Sequence, residues 1–125
     1  MEREIKFNVW DRKAKTMYRE VSWSRLCGLG DEGYTLLQYT GLHDKNGKEI
    51  YEGDIVKFTE IDEDSCFGRE ESNIVEVKWI EETAQYRAVF KSGRRTELHL
   101  VVQLPTVTSC EIIGNIYEHG ELLNK

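Results

Sequence analysis

Three histidines, three cysteines, a glycine-rich loop, an acidic run and a basic turn are the places where this 125-residue sequence could do chemistry. His43, His99 and His119 fall on unrelated elements, and none has a second ligand at HxH or HExxH spacing, so they assemble no zinc site. Cys27, Cys66 and Cys110 form an odd, widely spaced set without a CxxC pair. They fit reduced structural thiols better than a disulfide frame or a metal site. No nucleophile-elbow or cysteine-protease signature surrounds Cys66 or Cys110. Gly28-Leu29-Gly30-Asp31-Glu32-Gly33 matches GxGxxG in letters only. It follows no strong parallel strand, opens no helix, and sets two carboxylates where a pyrophosphate would approach, so it reads as a loop.

The acidic run holds Glu60, Asp62, Glu63, Asp64, Glu70 and Glu71 against Arg69 alone, a net −5 out of −6 for the whole chain. A calcium loop starting at Asp62 needs glycine at its sixth position and glutamate at its twelfth, where this sequence has Phe67 and Asn73. Asp44-Lys45-Asn46-Gly47 fails as a cation loop because Lys45 and Lys48 bring positive charge to it. The run therefore reads as a solvated acidic loop over residues 60–72, and its six carboxylates as candidate contacts for a protein partner. The basic turn is Lys91-Ser92-Gly93-Arg94-Arg95, beside a strand carrying Tyr86 and Phe90. Arginines on a barrel hairpin can clamp phosphates while neighbouring aromatics stack bases, so Lys91, Arg94 and Arg95 are candidate nucleic-acid contacts.

Nothing in these constellations forms a catalytic site, and the sequence is expected to belong to a protein that is not an enzyme and needs no cofactor. A chain of this length is one domain, large enough to bury a core without metal or disulfide staples. Hydrophobic content of 39%, charged content of 32% and a single proline exclude a disordered or proline-rich chain. No run approaches the roughly 20 apolar residues that span a bilayer, and Met1-Glu2-Arg3-Glu4 is too acidic to open a signal peptide, so a cytoplasmic location is expected. The acidic balance disfavours binding to a phosphate backbone as a property of the whole surface, leaving local basic patches open.

The elements that must position these residues are short strands. Ile5-Lys6-Phe7-Asn8-Val9-Trp10 alternates with Ile5, Phe7 and Val9 on one face, and Thr16–Val21 returns as its hairpin partner. A helical turn over Trp23–Leu26 follows, then the glycine loop, then a strand over Tyr34–Tyr39. The centre of the chain, residues 37–57, holds two turn signals. Asn46-Gly47 predicts a tight type I′ hairpin and Glu52-Gly53 a second turn into Asp54–Phe58. Ile74–Ile80 resumes after the acidic run with Val75, Val77 and Trp79 on one face, and Tyr86–Phe90 pairs back to it. Glu97–Leu104 gathers Leu98, Leu100, Val102 and Leu104 as a strand ended by Pro105. Cys110–Tyr117 is the last strand, and Glu121-Leu122-Leu123 one helical turn. Trp10, Trp79, Tyr39, Tyr51 and Tyr117 supply area for the core or for subunit contacts. The pattern is a mainly β, small antiparallel barrel or sandwich with little helix.

Arg3-Glu4-Ile5-Lys6-Phe7 with Trp10-Asp11 and Met17, then Gln38-Tyr39-Thr40-Gly41-Leu42 through Glu52-Gly53-Asp54-Ile55-Val56, then Ile113-Gly114-Asn115-Ile116-Tyr117-Glu118, resemble the YopX family of small phage and prophage proteins. The three blocks keep the family's order and reach both ends of the chain. The tail departs from it, reading His119-Gly120 before Glu121-Leu122-Leu123 where the family often has Asn-Pro. The resemblance implies an N-terminal hairpin region (1–40) and a C-terminal SH3-like small barrel (41–125) within a single domain, 1–125. It also implies a phage or integrated prophage as the source, hence the cytoplasm of a host bacterial cell, and no established biochemical activity.

Two functions remain open on the sequence. One is a protein-interaction module, a small accessory protein or homo-oligomer whose sheet edges and acidic loop meet a phage or host protein. The other is a nucleic-acid-binding barrel that uses the basic hairpin tip.

Overall fold

The N-terminal alternation folds as its period of two requires, in a computed structural model that describes residues 6–21, 23–26, 33–61, 68–103 and 106–124. β1 (Phe7–Asp11) pairs antiparallel with β2 (Thr16–Val21) on one side and with β3 (Tyr34–His43) on the other. β3 then pairs with the short β4 (Glu49–Tyr51), giving a four-stranded sheet in the order β2-β1-β3-β4. β3 runs unbroken through position 40, so this sheet takes residues from both sides of the boundary read in the sequence. As a central strand, β1 is covered on both faces: Val9 is fully buried on one and Trp10, its ring 5.5 Å from that of Tyr117, on the other. The helical turn Trp23–Leu26, α1, is present. Ile5, Cys27, Gly28, Gly30 and Cys66 lie outside the described residues.

β5 (Asp54–Ile61), β6 (Glu70–Ile80), β7 (Gln85–Phe90), β8 (Arg95–Glu97) and β9 (Val107–Asn115) make a second sheet in the order β8-β7-β6-β5-β9. It curls into a half-barrel, so the protein is mainly β with little helix. Its inner face alternates as a half-buried strand should, with Val56 and Phe58 on β5, Val75 and Val77 on β6 and Ala88 on β7, and a register shift in β9 brings Val107 and Cys110 to the same face. Ile50 from β4 enters the same core, so the two sheets share it. Gly53 is the joint. Its N–H donates to Val77 of the second sheet, its carbonyl accepts from Ile116, and its neighbour Glu52 donates to Gln38 of the first. Gly53 has φ +86°, and a Cβ there would stand 3.1 Å from the Tyr117 ring.

Three local expectations are corrected. Glu97–Leu104 is not a strand: β8 ends at Glu97 and Leu98–Gln103 forms a helix, α2. Leu98 and Val101, three residues apart and each 2% exposed, turn one helical face onto the mouth of the half-barrel core; Leu104 and Pro105 lie outside the described residues. The acidic segment is not a loop throughout. β5 and β6 continue into it, pairing Glu60 with Glu71 and Ile61 with Glu70, and a side-chain contact of 2.9 Å between Thr59 Oγ1 and Ser72 Oγ ties the same ladder. Asp62, Glu63 and Asp64 lie outside the described residues. Trp79 does extend the row of Val75 and Val77, but it stands past the end of the core, 43% exposed, with its ring edge-on to Tyr86 at 4.9 Å.

The Asn46-Gly47 turn is not type I′, which needs positive φ at both central residues. Only Gly47 has it, at +82°. The Gly47 N–H donates to the Asp44 carbonyl and the Asp44 N–H to the Lys48 carbonyl, a type I turn followed by a left-handed glycine. The reason is Asp44, 6% exposed: its Oδ1 accepts from the N–H groups of Asn46 and Lys48, and its Oδ2 from Ile112 on β9. Such an Asx arrangement holds the following residues in right-handed turn geometry.

Candidate functional site

The period of two that fills the half-barrel with hydrocarbon does not stop where the hydrocarbon stops. Along β5 the inward row runs Val56, Phe58, Glu60, and along β6 it runs Val75, Asn73, Glu71; the register sets Phe58 opposite Asn73 and Glu60 opposite Glu71. Two carboxylates therefore stand directly across from one another at the open end of the core face, an arrangement that like-charge repulsion disfavours. Neither is in an ion pair among the described residues.

The β7–β8 hairpin brings the basic tip to the same place. Phe90 N–H donates to the Arg94 carbonyl and Gly93 N–H to the Phe90 carbonyl, which closes a tight loop with all of 91–95 exposed. The Arg94 guanidinium lies over the Phe90 ring, 4.3 Å from its centroid, and Phe90 meets Phe58 edge-on at 6.0 Å. Arg95 reaches Glu82 at 3.6 Å, an exposed pair of small energetic weight. The result is a cleft of about 400 Å³ between the β5–β6 end and the β7–β8 tip. Phe58, Phe90 and Val101 give it an apolar floor, Glu60 and Glu71 one charged wall, and Arg94 the other; Arg95 borders it, but its register opposite Val89 turns its side chain to the outer face, toward Glu82. Lys91 lies outside it, on a neighbouring hollow lined by Ser72, Ile74, Leu122 and Leu123.

Two sets of residues read as rivals in the sequence thus share one surface. Of the acidic set, Glu60 and Glu71 line the cleft, Glu70 is exposed on β6, and Asp62, Glu63 and Asp64 are outside the described residues. Phe58, Asn73, Thr96 and Val101 complete the lining and went unnoticed in the sequence. The alternation of Val56, Phe58 and Glu60 was the available signal, since it extends β5 by its own period.

The remaining reactive side chains are scattered. The Tyr39 hydroxyl meets the His43 ring at 3.4 Å, His99 is 3.3 Å from Glu97, and the His119 ring accepts from the Asn115 N–H at 3.3 Å. Among the described residues no group of three or more histidine, cysteine or acidic side chains could hold a metal. Cys110 is buried, and its thiol is pushed up to about 11, first by desolvation and then by the charge of Asp44, which makes it an unreactive core residue. No described helix is long and apolar enough to cross a membrane.

Comparison with known proteins bears on the fold and the family. A family model described as YopX protein matches residues 6–124. No curated protein matches the chain. The crystal structure of protein EF1440 from Enterococcus faecalis is similar to it, with a TM-score of 0.62 at 21% identity over 98% of this chain and 99% of that one.

Proposed function

The chain belongs to the YopX family, and on that premise we propose that it is a phage- or prophage-encoded accessory protein. In this reading it works in the bacterial cytoplasm as a protein-interaction module on an SH3-like half-barrel, by binding rather than by catalysis. The observation that carries the reading is the mixed-charge cleft. Glu60 and Glu71 face each other on the inward row with no ion-pair partner among the described residues, and Arg94 stands over the aromatic floor across from them. A nucleic-acid strand presents one sign of charge along its length, so the carboxylate wall would repel the phosphates that the arginines attract. A polypeptide segment with a basic side chain for Glu60 and Glu71, an apolar one for the Phe58–Phe90 floor, and an acidic one for the arginines matches all three parts.

The test is a tagged pull-down from host cells undergoing prophage induction, run in parallel with the parent, a Glu60→Lys/Glu71→Lys variant and an Arg94→Glu/Arg95→Glu variant. A fluorescent single-stranded oligonucleotide is titrated against the same three proteins. One protein retained by the parent and lost with both reversals, by tenfold or more, is the expected result. Capture that survives both reversals refutes the cleft. Oligonucleotide binding that weakens steeply between roughly 50 and 200 mM salt, and disappears with the arginine reversal alone, would instead make the protein a nucleic-acid-binding barrel.

A further inference from the structure

A second cleft, about 640 Å³, opens between the four-stranded sheet and the β5–β9 side of the half-barrel. Its floor is polar where a joint between two sheets would ordinarily be apolar. Asn8 is 2% exposed and Asp54 6% exposed. The Asn8 side-chain oxygen accepts from the N–H of Glu20, which sits at φ +51°, a conformation costly for a residue with a Cβ. That strain places Glu20 on the cleft wall. Glu49 is fully engaged: one oxygen takes the Lys6 ammonium at 2.6 Å and the other accepts from the Tyr51 hydroxyl at 3.3 Å. The first contact holds its carboxyl below the usual range.

Asp54 is different. One of its oxygens accepts from the Tyr51 N–H at 2.8 Å; among the described residues the other has no donor, and no cation lies within ion-pair distance. The Tyr51 bond caps the turn into β5, but an asparagine would cap it as well and bury no charge. At the rim, the Lys48 ammonium also has no ion-pair partner among the described residues, and Arg19 is held only by a 3.9 Å contact to Glu118 between half-exposed side chains. Among the described residues, the cleft therefore contains one buried anion without a counter-ion and, beyond it, cations with spare capacity. A simple anion would meet Asp54 and Glu20; a simple cation would have to pass Lys48 and Arg19.

We propose that this cleft binds a small zwitterion of the amino-acid type, its ammonium group paired with Asp54 and its anionic end held by Lys48 and Arg19. The volume lies in the range of ordinary small-molecule sites. The site is separate from the charged cleft at the β7–β8 tip and does not depend on what that cleft binds. Burial raises the Asp54 carboxyl to about 6, with Arg19 and Lys48 lowering it only in part, so the group is ionised at neutral pH and available to a ligand cation.

The experiment is calorimetric titration and amide chemical-shift mapping of the full chain with γ-aminobutyrate and L-glutamate, against putrescine and glutarate as single-sign controls. At least one zwitterion is expected to bind at millimolar concentration and shift the amides of Tyr51 and Glu20. Its affinity should fall at least about tenfold in Asp54→Asn, the loss of one charge-assisted hydrogen bond, and several-fold in Lys48→Glu, an exposed side chain whose replacement keeps the backbone bond from Lys48 to the buried Asp44. Amide dispersion in each variant reports whether it is folded. Equal binding by putrescine or glutarate, undiminished binding by folded Asp54→Asn and Lys48→Glu proteins, or no shift with either zwitterion would overturn the proposal.

Discussion

Replacing Asp54 by asparagine should stabilise the protein at neutral pH, and the gain should vanish in acid. The carboxyl is 6% exposed and its pKa rises from 3.8 to about 6 on folding, chiefly because burial disfavours the charged form. Between about pH 4 and pH 6 the folded protein therefore holds a proton that the unfolded chain has released. The unfolded state binds fewer protons, so stability falls as pH rises through this window, and the full penalty is present above it. Two pK units correspond to about 3 kcal/mol at 1.36 kcal/mol per unit. Asparagine keeps the oxygen that accepts from Tyr51. Its new amide N–H groups face a water-accessible cleft, so the expected gain is about 1–3 kcal/mol above about pH 7 and close to zero below about pH 4. Urea unfolding of parent and variant across that range is the assay. With slopes of roughly 1–3 kcal/mol per molar, a gain of about 2 kcal/mol moves the midpoint by about 1 M. A variant less stable than the parent at neutral pH, or a difference that ignores pH, would refute the reasoning and mean that Asp54 has a counter-charge in the folded protein. The same measurement shows whether Asp54→Asn is sound enough to report on ligand binding. A buried charge that weakens the fold and serves a site is the familiar trade between stability and function.

Two further substitutions probe the joints of the fold. Asp44→Ala removes the acceptor for Asn46, Lys48 and Ile112 and should cost about 2–4 kcal/mol in urea unfolding, mostly from the inter-element bond to Ile112; a loss under about 0.5 kcal/mol would show that water replaces it. Gly53→Ala places a methyl group 3.1 Å from the Tyr117 ring at a φ of +86°, and should lower thermal stability by about 1–3 kcal/mol, while an unchanged melting temperature would mean that the joint relaxes freely.

Strand content was legible because side-chain alternation is local. Phe7 and Val9, Val56 and Phe58, and Val75 and Val77 each announce their strand within a few residues, and β1, β2, β5, β6, β7 and β9 form where those patterns lie. Leu98–Gln103 was not legible. Its leucines and valines satisfy a period of two as well as the three-residue step from Leu98 to Val101, and only the open mouth of the half-barrel decides that a helical face is the better cover. The acidic segment misleads for another reason. A run of six carboxylates between two apolar patterns reads as a solvated loop, yet backbone hydrogen bonds do not depend on the side chain and carry the β5–β6 ladder through Glu60 and Glu71.

The sequence alone determined the family, through three ordered blocks spread over the chain, and the mainly β class, through the alternation and the glycines that end it. It also supplied both charged sets. Tertiary structure alone decided that they meet, because the curl of the second sheet carries the Arg94–Arg95 hairpin over the end of β5 and β6, where Glu60 and Glu71 lie 23 to 35 positions away in the chain. It decided, too, that Asp44 and Asp54, ordinary turn residues by sequence, are buried. The free energy of a carboxylate depends on how much water and which cations surround it, and those are set by the packing of one sheet against another rather than by its neighbours in the chain.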